Sequence, residues 1–302
     1  MRQTLKLYYT FKPLIPLRIQ LFLRRIYVKN RLAISHGHWP IDKGSAVAPP
    51  KWKGWPQGKK FALVITHDVE TRTGLKRCQA LAKIDEDMGF RSSFNFVAEE
   101  YPVSGELRNS LCQRGFEVGL HGVTHDGKLY QSRQHFLKNA AKINRYLREW
   151  NAVGFRSPSM LHNLEWIHDL DIEYDSSTFD TDPFEPQPDG AGTIFPFIVT
   201  DNSGHKSYVE LPYTLPQDFS LFKLIGARDI DIWKKKLDWI ASNGGMALMI
   251  THPDYICFDG RPGLCEYPVS YYKSFLKYIK ENYEGQYWHA LPKEMAKYWL
   301  KE

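Results

Sequence analysis

Phe61-Ala62-Leu63-Val64-Ile65-Thr66 runs without interruption into His67-Asp68-Val69-Glu70, an apolar stretch that ends on an imidazole and two carboxylates. Continuous rather than alternating apolar character is the pattern of a strand buried on both faces, and such strands belong to parallel sheets covered by helices. A second run of this kind, Phe116 to Leu120, ends on His121-Gly122-Val123-Thr124-His125. In α/β folds the residues just past the carboxyl ends of the strands gather in one crevice, so the two motifs are expected to share a site.

Outward from these runs, strand and helix patterns alternate. Leu75 to Met88 reads as a helix, Ser92 to Val97 as a strand, and Phe136, Ala140, Ile143, Leu147 and Trp150 mark one helical stripe. Short strands are expected at Val153–Phe155 and Ile172–Tyr174. Ile230, Trp233, Leu237 and Ile240 form another helical face, and Met246 to Ile250 is a buried strand running into Thr251-His252. A helix over Tyr271–Ile279 and a strand over Gln286–His289 close the pattern. Repeated βα units indicate a parallel sheet or barrel.

The 302 residues carry a formal charge of +6, unevenly spread. Residues 1–31 hold eight basic residues (Arg2, Lys6, Lys12, Arg18, Arg24, Arg25, Lys29, Arg31) and no acid, leaving 32 basic against 34 acidic residues in the rest. A nucleic-acid surface on the body is therefore excluded as an expectation, and electrostatic partners belong to the arm. Ile19, Phe22, Leu23 and Ile26 fit one face of an amphipathic helix within it. An anionic membrane surface suits that face, and so does a helix docked on the domain with its charges in water. We expect an arm over residues 1–34, a connector rich in Pro and Gly over 35–60, and one domain over 61–302. The four cysteines (Cys78, Cys112, Cys257, Cys265) include no Cys-x-x-Cys pair, which argues against structural zinc and a disulfide framework and makes a reducing compartment the expectation. No stretch has the length of a membrane span, and basic residues interrupt any signal core.

His121 and His125 stand four apart after a strand, a spacing that brings both imidazoles to one side, as a divalent metal requires. Gly122 follows His121, so this is not the His-Glu-x-x-His pattern of zinc proteases. Asp68 and Glu70 alternate at a strand end and share a face, with Val69 turned to the core. One carboxylate can ligate a metal while its neighbour moves a proton. Three further strand ends carry polar residues: Arg156-Ser157-Pro158, Tyr174-Asp175-Ser176-Ser177 and Thr251-His252-Pro253.

With the motifs at Thr66–Glu70, His121–His125, Arg156–Pro158 and Met249–His252 in order, the chain resembles the polysaccharide deacetylase (NodB-homology) family over roughly residues 60–290, in the variant branch whose first motif separates its two acids by one residue. The resemblance implies a distorted (β/α) barrel of about seven parallel strands. It also implies that Asp68 is the general base, that Glu70, His121 and His125 hold one divalent metal (Zn²⁺, with Co²⁺, Ni²⁺ or Fe²⁺ also suited), and that His252 is the general acid. Arg156 would pair with Asp68. Asp175 either orients a catalytic side chain or caps its own turn. In strict register Val69 stands at the family's metal Asp, so the metal carboxylate is Glu70, Asp68 or, in a degenerate site, neither, and His67 is an extra polar group expected near the metal.

The loop Phe179-Asp180-Thr181-Asp182-Pro183-Phe184-Glu185-Pro186 offers aromatic faces and carboxylates suited to a sugar. The expected activity is removal of an N-acetyl group from a sugar of a polysaccharide or lipid-linked saccharide in surface-polysaccharide assembly, in the cytoplasm at the membrane face. The competing readings are a cyclic-amide hydrolase, which the same family resemblance includes, and a catalytically inactive sugar-binding protein.

Overall fold

The computed structural model describes residue 9, residues 14–35 and residues 37–301. Arg2, Lys6 and Lys12 of the basic arm lie outside them.

The opening stretch forms β1 (Phe61–Val69), with all nine residues buried. It is the hub of the sheet. Along one side, Phe61–Leu63 pair with Tyr287–His289 and Thr66–Val69 pair with Ser93–Phe96, while Ala62–His67 pair with Met246–Thr251 along the other, all in parallel. From β2 (Ser93–Phe96) the parallel order continues through β3 (Glu117–Leu120), β4 (Gly154–Phe155), β5 (Tyr174–Asp175) and β7 (Ser207–Glu210). The chain beyond β7 then reaches β8 (Met246–Thr251): the amides of Thr214 and Leu215 both donate to Leu248 O at 3.1 Å, and Leu248 N donates to Thr214 Oγ1 at 2.9 Å. These bonds tie the two ends of a curled sheet whose seven main strands run parallel, the distorted (β/α) barrel the resemblance implied.

Two strands lie outside that ring. β6 (Phe197–Thr200) adds antiparallel to β7, and β11 (Tyr287–His289) extends the line of β2. The small pair β9 (Ile256–Cys257) and β10 (Tyr267–Pro268) forms a separate parallel sheet.

Helices cover the outer face: α2 (Arg72–Asp87), α3 (Gly105–Gln113), α4 (Arg133–Trp150), the single turn α5 (Leu164–Ile167), α6 (Asp231–Asn243), α7 (Val269–Tyr283) and α8 (Pro292–Trp299). The cause is plainest in α4. Its stripe Phe136, Ala140, Ile143, Leu147 and Trp150 is buried as expected, and each large apolar side chain so buried contributes about 1.5–3 kcal/mol. Ser132 Oγ accepts from His135 N at 3.1 Å to start the helix, and Asn151, left-handed at φ 51°, ends it.

The segment 35–60 is irregular but packed. Trp52 meets Trp55 and Phe195 edge to face, Trp55 stacks on Phe195 and also meets Trp288 and Trp299, and Trp55 Nε1 donates to Gly244 O at 2.7 Å. The arm forms helix α1 (Leu17–Ile34), and it is docked. Leu21 and Val28 are buried with Phe184, Phe219 and Leu224 in a small cluster of their own. The stripe Ile19, Phe22, Leu23 and Ile26 faces outward instead, with Phe22 62% exposed. No helix among the described residues is long and apolar enough to cross a membrane, and all four cysteines are free.

Candidate active site

Strand alternation decides what β1 offers to each side. Thr66, Asp68 and Glu70 turn into the barrel mouth; His67 turns out toward the helices, where its Nδ1 pairs with Thr251 Oγ1 at 2.7 Å and its Nε2 with Asp85 Oδ2 at 2.9 Å. Asp85 also accepts from Ser92 Oγ and Tyr272 O–H. His67 therefore belongs to a closed polar network behind the strand and is not near the metal motif, against the expectation above.

In the mouth, Glu70, His121 and His125 each bring one ligating atom within 4.8 Å of the others. His125 Nε2 lies 3.2 Å from Glu70 Oε1, close to the spacing of neighbouring ligands around a tetrahedral ion with bonds of about 2.0–2.2 Å. His121 Nδ1–H donates to Arg156 O at 3.0 Å, which leaves Nε2 as its free donor pair. Burial pushes His121 down to about 4, so its imidazole is neutral at pH 7. Glu70 stays ionised despite burial, held well below the usual carboxylate range by His125 and His252 and by the Tyr255 hydroxyl, which donates to Oε2. Two imidazoles and a carboxylate form a donor set that fits a divalent cation. Glu70, not Asp68, is the carboxylate in that set.

Backbone requirements explain the spacing. Gly122, between the two imidazoles, has φ +74°, and a Cβ there would come within 2.7 Å of Pro158 Cγ. The His-x-x-x-His loop and the Arg-Ser-Pro loop thus pack backbone against ring. Glu70 is set by a residue the sequence did not flag: Asp254 accepts from the amides of Glu70, Thr71 and Gly74 at 2.9, 3.0 and 3.1 Å, tying the end of β1 to the start of α2.

Asp68 is 2% exposed and accepts at Oδ1 from Asn95 Nδ2 at 2.8 Å and from Arg156 at 3.0 Å. Burial alone would raise its pKa. Arg156 and the nearby His121 and His252 outweigh that and hold it at about 2. Arg156 itself is fixed by Thr66 Oγ1, Ser176 O and Ser176 Oγ, each at 2.8 Å. Asp175 sits beside this cluster without entering it. Its carboxylate accepts from Ser177 Oγ at 2.7 Å and Ser177 N at 3.2 Å, the turn-capping arrangement, and burial with the adjacent Glu210 pushes its pKa well up. It makes no hydrogen bond to Asp68, Arg156 or His252 among the described residues.

His252 follows β8, and its Nε2 lies 3.8 Å from Glu70 Oε1. Its Nδ1 pairs at 2.7 Å with Asp218, at the start of a π-helical turn over Phe219–Ile225. Asp218 also accepts from His252 N and Phe219 N at 2.8 Å each and from Tyr267 O–H at 3.0 Å. Burial opposes the imidazolium, yet Asp218 with Glu70 and Asp68 raises His252 to about 10. Asp218 was missed because it lies 34 residues before its partner, in a stretch with no strand-end signature.

These groups line one side of a cleft of about 710 Å³, with α1 supplying the other side through Leu23, Arg24, Tyr27 and Arg31. The loop 179–186 contributes only in part. Phe184, Glu185 and Pro186 reach the cleft, whereas Asp180 is buried against Lys236 and Asp182 against Tyr213 O–H at 2.9 Å.

No family model matches the chain, and no curated protein matches it in sequence. Solved structures do. A protein from Mycobacterium smegmatis assigned as a polysaccharide deacetylase is 21% identical, with a TM-score of 0.64 over 84% of this chain and 95% of the other. One so assigned from Pseudomonas aeruginosa is 17% identical, with a TM-score of 0.63 over 82% and 93%. Puue allantoinase is also 17% identical, with a TM-score of 0.62 over 82% and 92%. The chain is thus built on the polysaccharide deacetylase fold, a distorted (β/α) barrel.

Proposed function

We propose that this chain is a metal-dependent hydrolase of carbon–nitrogen bonds that removes an N-acetyl group from a sugar of a polysaccharide or lipid-linked saccharide. The observation that carries this reading is the convergence, in one cleft, of an ionised Asp68, a Glu70–His121–His125 donor set and a His252 that is held protonated.

A divalent cation held by Glu70, His121 and His125 would supply electrophilic polarisation of the scissile carbonyl. The remaining work falls to the chain's own side chains. Asp68, kept anionic and pinned by Arg156 and Asn95, accepts the proton of the attacking water at its carboxylate. His252, with Nδ1–H donated to Asp218, presents Nε2–H toward the cleft and protonates the departing amine. Arg156 keeps Asp68 from swinging toward the metal ligands. The test is amine release from N-acetylhexosamine substrates coupled to metal quantification. A protein that holds about one metal but releases no amine from any acetylated sugar, and instead opens hydantoin-like rings, would give the site to the cyclic-amide reading. One that neither holds metal nor turns anything over would be the inactive sugar binder.

The outer face of α1 supports a place at an anionic membrane surface. Ile19, Phe22, Leu23 and Ile26 are all exposed there, interleaved with exposed Arg18, Arg25 and Lys29, and no acid lies between them. Leu23 also lines the cleft, so a lipid-carried sugar could enter from that face.

A further inference from the structure

We infer that Arg24 and Arg31 of α1 form an oxyanion-binding subsite of the cleft, and that the acetylated sugar it takes therefore carries a phosphate or carboxylate group. This deepens the hydrolase reading and rests on it.

Seven residues are two helical turns, so Leu21 with Val28 and Arg24 with Arg31 repeat on the same side of α1. Leu21 and Val28 are buried in the docked face, and Arg24 and Arg31 beside them are half-buried, while Arg18, Arg25 and Lys29 are exposed. Packing alone would fill positions 24 and 31 with apolar residues like their neighbours. Both arginines instead line the cleft that holds Asp68, Glu70 and His252.

A short chain of contacts fixes how near Arg24 stands to the reacting groups. Its guanidinium lies 4.8 Å over the Phe219 ring, Phe219 packs 4.6 Å from the Tyr255 ring, and Tyr255 O–H donates to Glu70. Two rings separate the cation from the metal carboxylate. Arg31 is anchored by Nε, which donates to Pro183 O at 3.1 Å. Its guanidinium also lies 6.0 Å over the Tyr27 ring, and both residues line the cleft.

Among the described residues neither guanidinium is in an ion pair, and no carboxylate lies within 4.0 Å of either. Glu185, the remaining acid of the cleft wall, accepts from Tyr213 O–H at 2.7 Å and Gln217 Nε2 at 2.5 Å, and burial and the neighbouring Asp182 push its pKa up although Arg24 pulls it down, so its hydrogen bonds go to the wall and not to either arginine. Asp68 is already answered by Arg156 and Glu70 by the imidazoles. Two partly desolvated guanidinia without a counter-ion are costly unless a ligand supplies one, and the planar fork suits a phosphate or carboxylate.

The experiment compares N-acetylglucosamine, N-acetylglucosamine 1-phosphate and an N-acetylhexosaminuronic acid. Binding is measured by calorimetry on the full-length chain carrying Asp68→Asn, which does not consume them, and amine release on the unaltered chain. We expect at least one anionic sugar to bind roughly 10- to 100-fold more tightly than the neutral one, with the preference falling by a similar factor in Arg24→Gln, Arg31→Gln. Arg24→Lys, which keeps the charge but not the fork, should retain part of it, and added salt should erode it in the unaltered chain even if the double variant proves unstable. Lys83→Gln, Lys277→Gln, which removes as much charge from distant exposed positions, should leave it in place. Equal binding of all three sugars, or a preference untouched by the double variant, overturns the subsite. Which anionic sugar wins identifies phosphate or carboxylate. Anion preference without amine release would sink the hydrolase reading and leave the subsite standing; amine release without anion preference does the reverse.

Discussion

His252 Nδ1 lies 2.7 Å from Asp218 Oδ1, with both side chains shut away from solvent, so the imidazole that ends β8 is oriented and charged by a carboxylate from a different loop. His252→Ala should lower the rate of amide hydrolysis by roughly 10²- to 10⁴-fold with metal content unchanged. Asp218→Asn should also slow it and, by removing the charge that holds His252 up at about 10, move the alkaline limb of the pH–rate profile to lower pH. An activated acetyl ester needs less help in expelling its leaving group and should show a smaller defect in both variants. Equal losses on amide and ester, or loss of metal, would remove His252 from the acid role.

His121→Ala should abolish metal binding, as should His125→Ala, because each supplies one of the three donors that, among the described residues, lie within 4.8 Å of one another. Elemental analysis should give about one metal per chain before substitution. Full occupancy in the double variant would place the metal elsewhere.

The carboxylates of Asp68 in β1 and Glu70 just past its end should separate cleanly. Asp68→Asn removes a proton acceptor that faces Arg156 and Asn95, so turnover is lost and metal stays; Glu70→Ala loses both. The opposite pattern in metal content would exchange the roles.

Because Leu21 and Val28 belong to a buried cluster, deleting α1 would strip Phe184 and Phe219 as well as any membrane contact. Substituting the outer stripe is the cleaner measurement. Phe22→Ser, Ile26→Ser should weaken binding to anionic liposomes while the melting temperature stays within a few degrees, since both side chains are exposed. Undiminished liposome binding, or none in the unaltered chain, would leave α1 as a docked roof alone.

At the opposite end of the barrel, buried Glu117 accepts from Tyr174 O–H at 2.7 Å and Lys293 N at 3.0 Å, and burial raises its pKa to about 7. The folded state therefore holds this proton more tightly than the unfolded chain, and the associated stability is present below about pH 4.5 and lost as pH rises toward 7. The full loss is on the order of 3 kcal/mol. Urea unfolding of Glu117→Gln should show a flatter dependence between pH 5 and 8 than the unaltered chain. Parallel curves would mean that Glu117 does not titrate there.

What could be read without coordinates was whatever is encoded locally. β1, β3, β8 and α4 were legible because apolar runs and a 3.6-residue stripe are properties of short windows, and the Asp68, Glu70, His121, His125 and His252 positions followed from strand ends. Helices α3 and α8 and the β6–β7 pair were not read: Phe197–Thr200 and Ser207–Glu210 are four residues each, too short for a period to stand out from loop. Asp218 and Asp254 escaped for a different reason, since each acts on a residue that only the closed barrel brings near. His67 was misjudged through neglect of parity. It follows Thr66 and precedes Asp68, both inward, so it must point out.

That parity makes β1 a poor place for conventional scanning mutagenesis. The same nine residues pair with three strands, carry Asp68 on one face and lock His67 to Asp85 on the other. Inserting or deleting one residue would exchange the two faces, presenting an imidazole to the substrate and burying carboxylates among helices. Loss of activity there would be ambiguous between damaged chemistry and damaged architecture, and only variants whose melting behaviour is unchanged would speak to the former.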